Sequence, residues 1–215
     1  MITTPTIPAT GVSSSLTPVA GIDLLTRSER EADHLALGIS ADLIAHGATE
    51  VTIATHWAQV GLLRHVALSV QLSDTAAVGC GAVQVVLADV ARRHEGPFGL
   101  LLSHSYRGEP ELKQVLTRTA QAHTARTSGR VVVFPGSVGL VGTLSVGHVI
   151  TASAIDRVQI LTGHEAKHTT ALVTRDFLRP RWESGHLVLH VQPAAGATLV
   201  PFETPTPTPC CADHA

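Results

Sequence analysis

The stretch at residues 130–163 constrains the fold of this 215-residue chain more than any other. It begins with a wholly apolar run at 131–134, which is typical of a strand covered on both faces. An irregular loop with three glycines follows, at Gly136, Gly139 and Gly142. A helix from about Ser145 and a strand at 157–161 complete a strand–helix–strand unit. Such units are the building blocks of α/β and α+β domains, so we expect one of these two fold classes.

The composition indicates a packed core and argues against two classes of partner. Hydrophobic residues make up 44% of the chain, charged residues 15% and aromatic residues 3%, so Val, Leu, Ile and Ala must build the core. A net charge of −2 lacks the basic excess that a general nucleic-acid binder carries. No apolar stretch reaches the roughly 18 residues of a membrane helix, and the N-terminus has no secretory signal pattern. We therefore expect a cytoplasmic protein that binds neither nucleic acid nor a membrane.

The domain boundaries are predicted from shifts in composition. Residues 1–21 are rich in Thr, Pro and Ser and are interpreted as a flexible arm. Residues 22–203 are expected to form a single α+β domain, with a mixed sheet and three to four helices. Residues 204–215 are interpreted as a stiff Pro-rich spacer that carries a Cys/His tail, because alternating Pro favours extended polyproline.

Local patterns place several elements within the domain. Ser28 and Glu31 match a capping box, which predicts a helix that ends near Gly47. Residues 64–72 alternate between apolar and more polar positions, which predicts a half-exposed strand antiparallel to a strand at 50–55. This half-exposed strand is also a candidate sheet edge for a partner protein. A third strand is predicted at 98–106, and the last third of the chain is expected to form antiparallel strands.

Two loops are the first candidate site. Ligands of open α/β sheets bind beyond the carboxyl ends of the strands, and helix N-termini there favour anions. A guanidinium can clamp an anion, and an imidazole can move a proton near neutral pH. The expected ligand is therefore a small anion, and an enzyme acting on an anionic metabolite is one hypothesis. The residues of the two loops are His104, Tyr106, Arg107, Gly136, Ser137, Gly139, Gly142 and Thr143.

The tail is the second candidate site. Cys210, Cys211 and His214 offer two thiolates and an imidazole, which are ligands for Zn(II) or Cu(I). Because adjacent cysteines strain to reach one tetrahedral ion, a further ligand from elsewhere is needed. Thiol exchange is the alternative role for these cysteines. An odd count of three cysteines argues against a disulfide framework.

A third pattern, HExxH at residues 164–168, matches the zinc-protease motif in letters only. That motif requires a helix, which puts both imidazoles on one face. Gly163 precedes the pattern and Thr169 and Thr170 follow it, and these neighbours oppose a helix. We therefore expect a connecting loop here.

The C-terminal segment resembles uncharacterised proteins of GC-rich bacteria. The resemblance lies in residues 174–177, in LVPFE at 199–203 and in PTPCCADH at 207–214, and it covers mainly residues 130–214. It implies a bacterial protein whose tail belongs to its purpose. No activity, cofactor or catalytic residue comes with it.

Three hypotheses of function follow from the sequence. The first is an accessory or binding protein with a soft-metal or thiol-exchange site in its tail. The second is the small enzyme with an anion site at the two loops. The third is a non-catalytic interaction domain that pairs through the half-exposed strand.

Overall fold

The structure is a computed structural model that describes residues 18–72, 77–103 and 105–205. Within these ranges the chain forms four α-helices and a twelve-stranded mixed sheet, which confirms the α+β class. The helices are α1 Glu29–Ala45, α2 Ala77–Arg93, α3 Pro110–Thr124 and α4 Val146–Ala152. No helix in the described part is long and apolar enough to cross a membrane.

The strands pair mostly antiparallel, as expected for the C-terminal third. The exceptions are two parallel pairs, β8 with β11 and β9 with β12. The sheet order is β5-β4-β1-β3-β2-β6-β10-β11-β12-β9-β7, with β8 beside β11. The strands are β1 Ala20–Thr26, β2 Val51–Val60, β3 Leu63–Leu72, β4 Gly99–Leu102, β5 Ser105–Gly108, β6 Arg130–Val133, β7 Thr143–Ser145, β8 Arg157–Ile160, β9 Ala171–Val173, β10 Arg181–Glu183, β11 His186–Ala194 and β12 Thr198–Pro201.

In the first half of the chain the elements follow the order β1-α1-β2-β3-α2-β4. This order is two successive βαβ units of the split type. Apolar side chains of α1 and α2 pack on one face of these strands and form the first core, with Ile22, Ile39, Leu68 and Leu87 almost wholly buried. The predicted arm at residues 1–21 overlaps this unit, because Ala20 and Gly21 belong to β1.

Helix α1 begins as its sequence predicts. The Ser28 hydroxyl accepts from the backbone N–H of Glu31 at 3.2 Å. The Glu31 carboxylate in turn accepts from the backbone N–H of Arg27 at 3.1 Å, one residue earlier than in the usual capping box. One orphan donor of the helix, the Glu31 N–H, is therefore satisfied, together with the Arg27 N–H just before the cap.

The strand predicted at 64–72 is present as β3 and pairs antiparallel with β2 as expected, but the prediction that it is half exposed and forms a sheet edge is wrong. Strand β3 lies between β1 and β2, so both of its edges are paired. Val66, Leu68 and Val70 are buried as expected, but His65 and Ser69 on the opposite face are fully buried as well. Helix α3 covers that second face. Alternation reveals the two faces of a strand but not what covers the polar one.

The third predicted strand, at 98–106, is in fact a hairpin. Strand β4 ends at Leu102, and β5 returns antiparallel to it from Ser105. Ser103 takes a positive φ of 49°, which turns the chain. The Ser105 hydroxyl donates to the Leu102 carbonyl at 3.2 Å and supports the turn.

The strand–helix–strand unit at 130–163 is present, and it leads into the second core. Strand β6 lies between β2 and β10, and Ser145 caps α4 by accepting from the His148 N–H at 3.1 Å. Apolar residues of α4 and the C-terminal strands pack into this second core, among them Val149, Leu172 and Leu187. The HExxH letters at 164–168 are not helical, which confirms the predicted loop.

Candidate functional site

The two loops that the sequence analysis combined into one anion site lie apart in the sheet. Tyr106 and Arg107 belong to β5, which is first in the strand order, and Thr143 belongs to β7, which is last. Tyr106 lines a cavity beside α3, and Arg107 lines another beside α2. Neither cavity includes Gly136, Ser137, Gly139, Gly142 or Thr143. The residue His104 lies outside the described residues.

The glycine loop uses its polar groups within the fold. The backbone N–H of Gly142 donates to the Asp176 carboxylate at 2.9 Å, and its carbonyl accepts from the Thr174 hydroxyl at 2.9 Å. Gly136 has a φ of 83°, and a Cβ there would lie 2.2 Å from the Ala152 carbonyl oxygen. These glycines thus serve chain packing, and the Gly142 N–H is not available to an anion.

The predicted metal ligands Cys210, Cys211 and His214 lie outside the described residues. Among residues 18–72, 77–103 and 105–205, no group of three or more His, Cys, Asp or Glu side chains could hold a metal ion. The described chain ends with Glu203, Thr204 and Pro205, and these three residues line the cavity described next.

The most distinctive cavity, of about 800 Å³, lies between α1, the segment before β10 and the end of β12. We call it the arginine cleft. It combines charged groups at its floor with exposed apolar side chains at its rim. Its lining residues are Glu29, Arg30, Asp33, His34, Leu37, Arg130, Asp176, Phe177, Arg179, Phe202, Glu203, Thr204 and Pro205.

A buried ion network forms the floor of the arginine cleft. Arg130 donates to both carboxylate oxygens of Asp33 and also to Glu203. Burial alone would lower the pKa of Arg130, but the hydrogen bonds to Asp33 and Glu203 raise it overall above its ordinary value. A buried guanidinium held by two carboxylates stays charged and fixed in place.

Arg179 is the part of this network that keeps a free donor. Its Nε donates to Asp33 at 2.9 Å and its Nη1 to the Leu178 carbonyl at 3.0 Å. The guanidinium carbon stands 4.0 Å from the centre of the Phe177 ring. Burial, together with the nearby charge of Arg130, lowers the pKa of Arg179 against the opposing effect of Asp33. Its Nη2 makes no hydrogen bond within the described chain.

Aromatic side chains concentrate at this region although they are scarce in the chain. The sequence holds four Phe, two Trp and one Tyr. Phe177 and Phe202 line the arginine cleft, and both tryptophans, Trp57 and Trp182, line an adjoining cavity of about 280 Å³. We call this second space the tryptophan cavity. The two spaces share Glu29 and Arg130 in their walls, so one ligand can contact both.

A chain of three polar side chains lies behind the tryptophan cavity. His56 Nε2 lies 2.9 Å from the Ser69 hydroxyl, which lies 2.7 Å from His123 Nδ1. Burial lowers the pKa of His56 to about 4 and that of His123 to about 3, so both imidazoles are neutral. His56 also lines the tryptophan cavity, next to Gly129.

A second buried pair, Asp23 and His65, lies on the same α3-covered face of the sheet. Asp23 Oδ2 lies 2.8 Å from His65 Nε2, and neither side chain is exposed. Burial raises the pKa of Asp23, while the backbone N–H of Leu25 and the neighbouring His65 oppose the rise. With no exposed surface, this pair cannot contact a ligand, and we assign it to the interior of the fold.

The sequence analysis missed the arginine cleft because its charged residues come from distant parts of the chain. Asp33 belongs to α1, Arg130 to β6 and Glu203 follows β12. The one local signal was Arg130 at the start of a wholly apolar strand, where a charge needs a partner.

Comparison of the chain with protein-family models, with curated proteins and with solved structures finds no match. The site therefore stands on its own geometry.

Proposed function

We propose that the protein is a non-catalytic binding domain for a small organic acid with an aromatic or other planar apolar body, held in the arginine cleft. The observation that carries the proposal is the free Nη2 donor of Arg179, fixed between Asp33 and Phe177 beside exposed apolar surface. Ligand pockets of this kind combine an apolar lining with a few fixed polar groups.

The charges of the cleft favour a carboxylate ligand. Each of its four acids already has a partner: Asp33 and Glu203 bind Arg130, Asp176 binds Gly142, and Glu29 accepts from the Trp57 indole at 2.9 Å. The exposed Arg30, in contrast, forms no ion pair within the described chain. The charged groups of the cleft that keep a free donor are therefore the guanidinium groups of Arg30 and Arg179. A guanidinium group pairs well with a carboxylate.

The apolar rim favours a ligand with a flat body. Leu37 is 49% exposed and Phe202 is 55% exposed, and both line the cleft. A ligand ring packed on them would remove this apolar surface from water, at roughly 25 cal/mol for each Å² buried. Aromatic rings also stack favourably on Phe and on guanidinium groups.

The proposal is tested by thermal unfolding with matched probes. Phenylacetate and indole-3-acetate supply a ring and a carboxylate, and 2-phenylethanol supplies the ring alone. We expect the two acids to raise the midpoint of unfolding in a saturable way and the alcohol to raise it much less. Equal effects of acids and alcohol, or no effect of either acid at millimolar concentration, would overturn the proposal.

A pair of variants locates the effect. Phe202→Ser removes an exposed cleft ring, and Val138→Ser changes a 91% exposed apolar side chain that is not in the cleft. Because both positions are exposed, both variants should fold. We expect Phe202→Ser to weaken the response to phenylacetate about tenfold, the effect of a 1.4 kcal/mol loss. Val138→Ser should respond as the unchanged protein does.

We propose as a second candidate that Cys210, Cys211 and His214 bind a soft metal ion, Zn(II) or Cu(I). The support is their ligand type and their spacing within five residues. The chain enters this segment from Pro205, at the wall of the arginine cleft, where the exposed His34 offers one further imidazole. Thiol exchange remains the alternative role of the two cysteines.

The second candidate is tested by titration with Zn(II) and with Cu(I), beside a variant truncated after Pro209. We expect at least one of these ions to bind the full chain with a one-to-one ratio and the truncated chain to lose that binding. Equal metal uptake by both would contradict the assignment to the tail.

A further inference from the structure

The hydrogen-bond chain from His123 through Ser69 to His56 determines what the tryptophan cavity can bind. A serine hydroxyl donates one hydrogen, so Ser69 donates to one imidazole and accepts from the other. Both imidazoles are neutral, so each carries a single N–H. Two arrangements are therefore open. One of them makes His56 Nδ1 a hydrogen-bond donor, and the other makes it an acceptor.

In the first arrangement Ser69 donates to His56 Nε2. His56 then carries its hydrogen on Nδ1 and offers a donor. His123 donates from Nδ1 to Ser69 and keeps a lone pair on Nε2. In the second arrangement every direction is reversed, so His56 Nδ1 is an acceptor and His123 Nε2 is a buried N–H.

Two unsatisfied atoms decide between these arrangements. In the described part of the chain, His123 Nε2 and Trp182 Nε1 are the buried side-chain polar atoms without a hydrogen-bond partner. Their rings are neighbours, with centres 6.2 Å apart and planes inclined by 45°. The indole nitrogen can only donate.

The second arrangement would bury two unpaired N–H donors on neighbouring rings, and each would bear its full desolvation cost. The first arrangement leaves a lone pair on the His123 ring and a donor on the Trp182 ring. These two groups are complementary, and only one buried N–H then stays unpaired. The first arrangement is therefore the more stable one.

His56 Nδ1 is the ring nitrogen that remains for a ligand. His56 Nε2 is occupied by Ser69, and no residue of the described chain binds Nδ1. His56 is 9% exposed, and it lines the tryptophan cavity with Trp57 and Trp182. Glycine at position 129 allows this placement, because a Cβ there would lie 2.6 Å from His56 Cε1.

We propose that the tryptophan cavity is a second subsite that binds an uncharged carbonyl oxygen through the Nδ1–H of His56. Its wall holds two acids, Glu29 and Glu183, and two guanidinium groups, Arg130 and Arg181, so the charges balance in number and favour an uncharged group. The proposal rests on the proposed function in one respect: the carbonyl belongs to the same ligand whose carboxylate binds Arg179. That ligand class is an acid that also carries an amide or ring carbonyl beside a planar body, such as an acylated aromatic amino acid.

The test reads the protonated nitrogen of His56 directly in the ligand-free protein. A long-range ¹H–¹⁵N spectrum at pH 7 distinguishes the Nδ1–H from the Nε2–H form of each imidazole. We expect the Nδ1–H form for both His56 and His123. An Nε2–H form, or a doubly protonated ring, at His56 would overturn the proposal whatever the arginine cleft binds.

A second measurement tests the subsite with two probes, one that can only accept a hydrogen bond and one that can only donate. N,N-Dimethylacetamide has a carbonyl oxygen and no N–H, and methylammonium has donors only. We expect dimethylacetamide to shift the His56 signals saturably and methylammonium to leave them unchanged. Absence of the dimethylacetamide shift overturns the subsite but leaves the arginine cleft untouched. Failure of phenylacetate binding with the shift present overturns the cleft alone.

The variant Ser69→Ala tests the role of the hydroxyl. It removes the group that fixes the His56 tautomer, so we expect a mixture of both forms and at least threefold weaker binding of dimethylacetamide. Ser105→Ala, an exposed serine in the β4–β5 turn, is the matched control and should change neither. A folded Ser69→Ala protein with an unchanged His56 tautomer and an unchanged affinity for dimethylacetamide would contradict the role of this hydrogen-bond chain.

Discussion

Arg130 donates to both carboxylate oxygens of Asp33 although the two residues stand 97 positions apart in the chain. This pair joins β6 to α1 and is part of the ion network that forms the floor of the arginine cleft. Asp33 also accepts from Arg179, so one buried carboxylate holds two guanidinium groups. The geometry of the proposed site therefore depends on Asp33 more than on any other side chain.

Replacement of Asp33 should destabilise the protein strongly. Asp33→Ala leaves two guanidinium groups, each no more than 10% exposed, without their shared carboxylate. Removal of one partner of a buried ion pair costs about 3–5 kcal/mol. Urea unfolding followed by circular dichroism measures the loss. Asp42→Ala on the same helix is the control, because Asp42 forms an exposed pair with Arg93 that should be worth no more than about 1 kcal/mol.

Gly129 should tolerate no side chain. Its φ of 130° is unfavourable for other residues, and a Cβ would collide with the His56 ring. We expect Gly129→Ala to lower the free energy of unfolding by more than about 2 kcal/mol, from backbone strain and displacement of His56. Gly163 has a φ of 91° with open space around it, so Gly163→Ala reports the backbone strain alone. Equal losses in the two variants would show that the contact with His56 carries no weight.

Stability should fall as the pH falls from 7 to 5. His56 and His123 have lowered pKa values of about 4 and about 3 in the folded chain, against 6.5 for an ordinary imidazole. The unfolded chain therefore binds more protons below pH 6.5, and protonation favours unfolding there. At pH 5, one and a half units below the pKa of an imidazole in the unfolded chain, each of the two buried imidazoles lowers the free energy of unfolding by about 2 kcal/mol.

Denaturant unfolding at pH 7, 6 and 5 measures this effect above the range in which most carboxylates titrate. The exposed His34 lies outside the network, so His34→Gln should show the same fall. Unchanged stability between pH 7 and pH 5 would contradict the assignment of both buried imidazoles as neutral. It would also contradict the hydrogen-bond chain from His123 through Ser69 to His56, which depends on that assignment.

Local patterns in the sequence were sufficient for the elements whose signals are local. The apolar run at 131–134 predicted β6, and Ser145 predicted the start of α4. The Ser28 cap predicted the start of α1. Each of these depends on residues within one turn or one strand, where propensity and capping decide the outcome.

Features that depend on tertiary packing were not predictable in this way. The polar face of β3 suggested solvent, but α3 covers it and pairs Ser69 with His123, 54 positions away. The hairpin at 99–108 turns at Ser103, whose positive φ of 49° is a conformation that serine takes rarely. The arginine cleft joins Asp33, Arg130 and Glu203, and no short window of sequence contains two of them.

The central claim, that the arginine cleft is the ligand site, is tested most directly by amide chemical-shift mapping with phenylacetate. We expect the largest shifts at residues 33, 34, 37, 177, 179 and 202–204, which line the cleft, with a saturation curve that Phe202→Ser moves to higher concentration. Shifts confined instead to the cavities beside α2, at residues 85–93, or beside α3, at residues 113–125, would contradict the account.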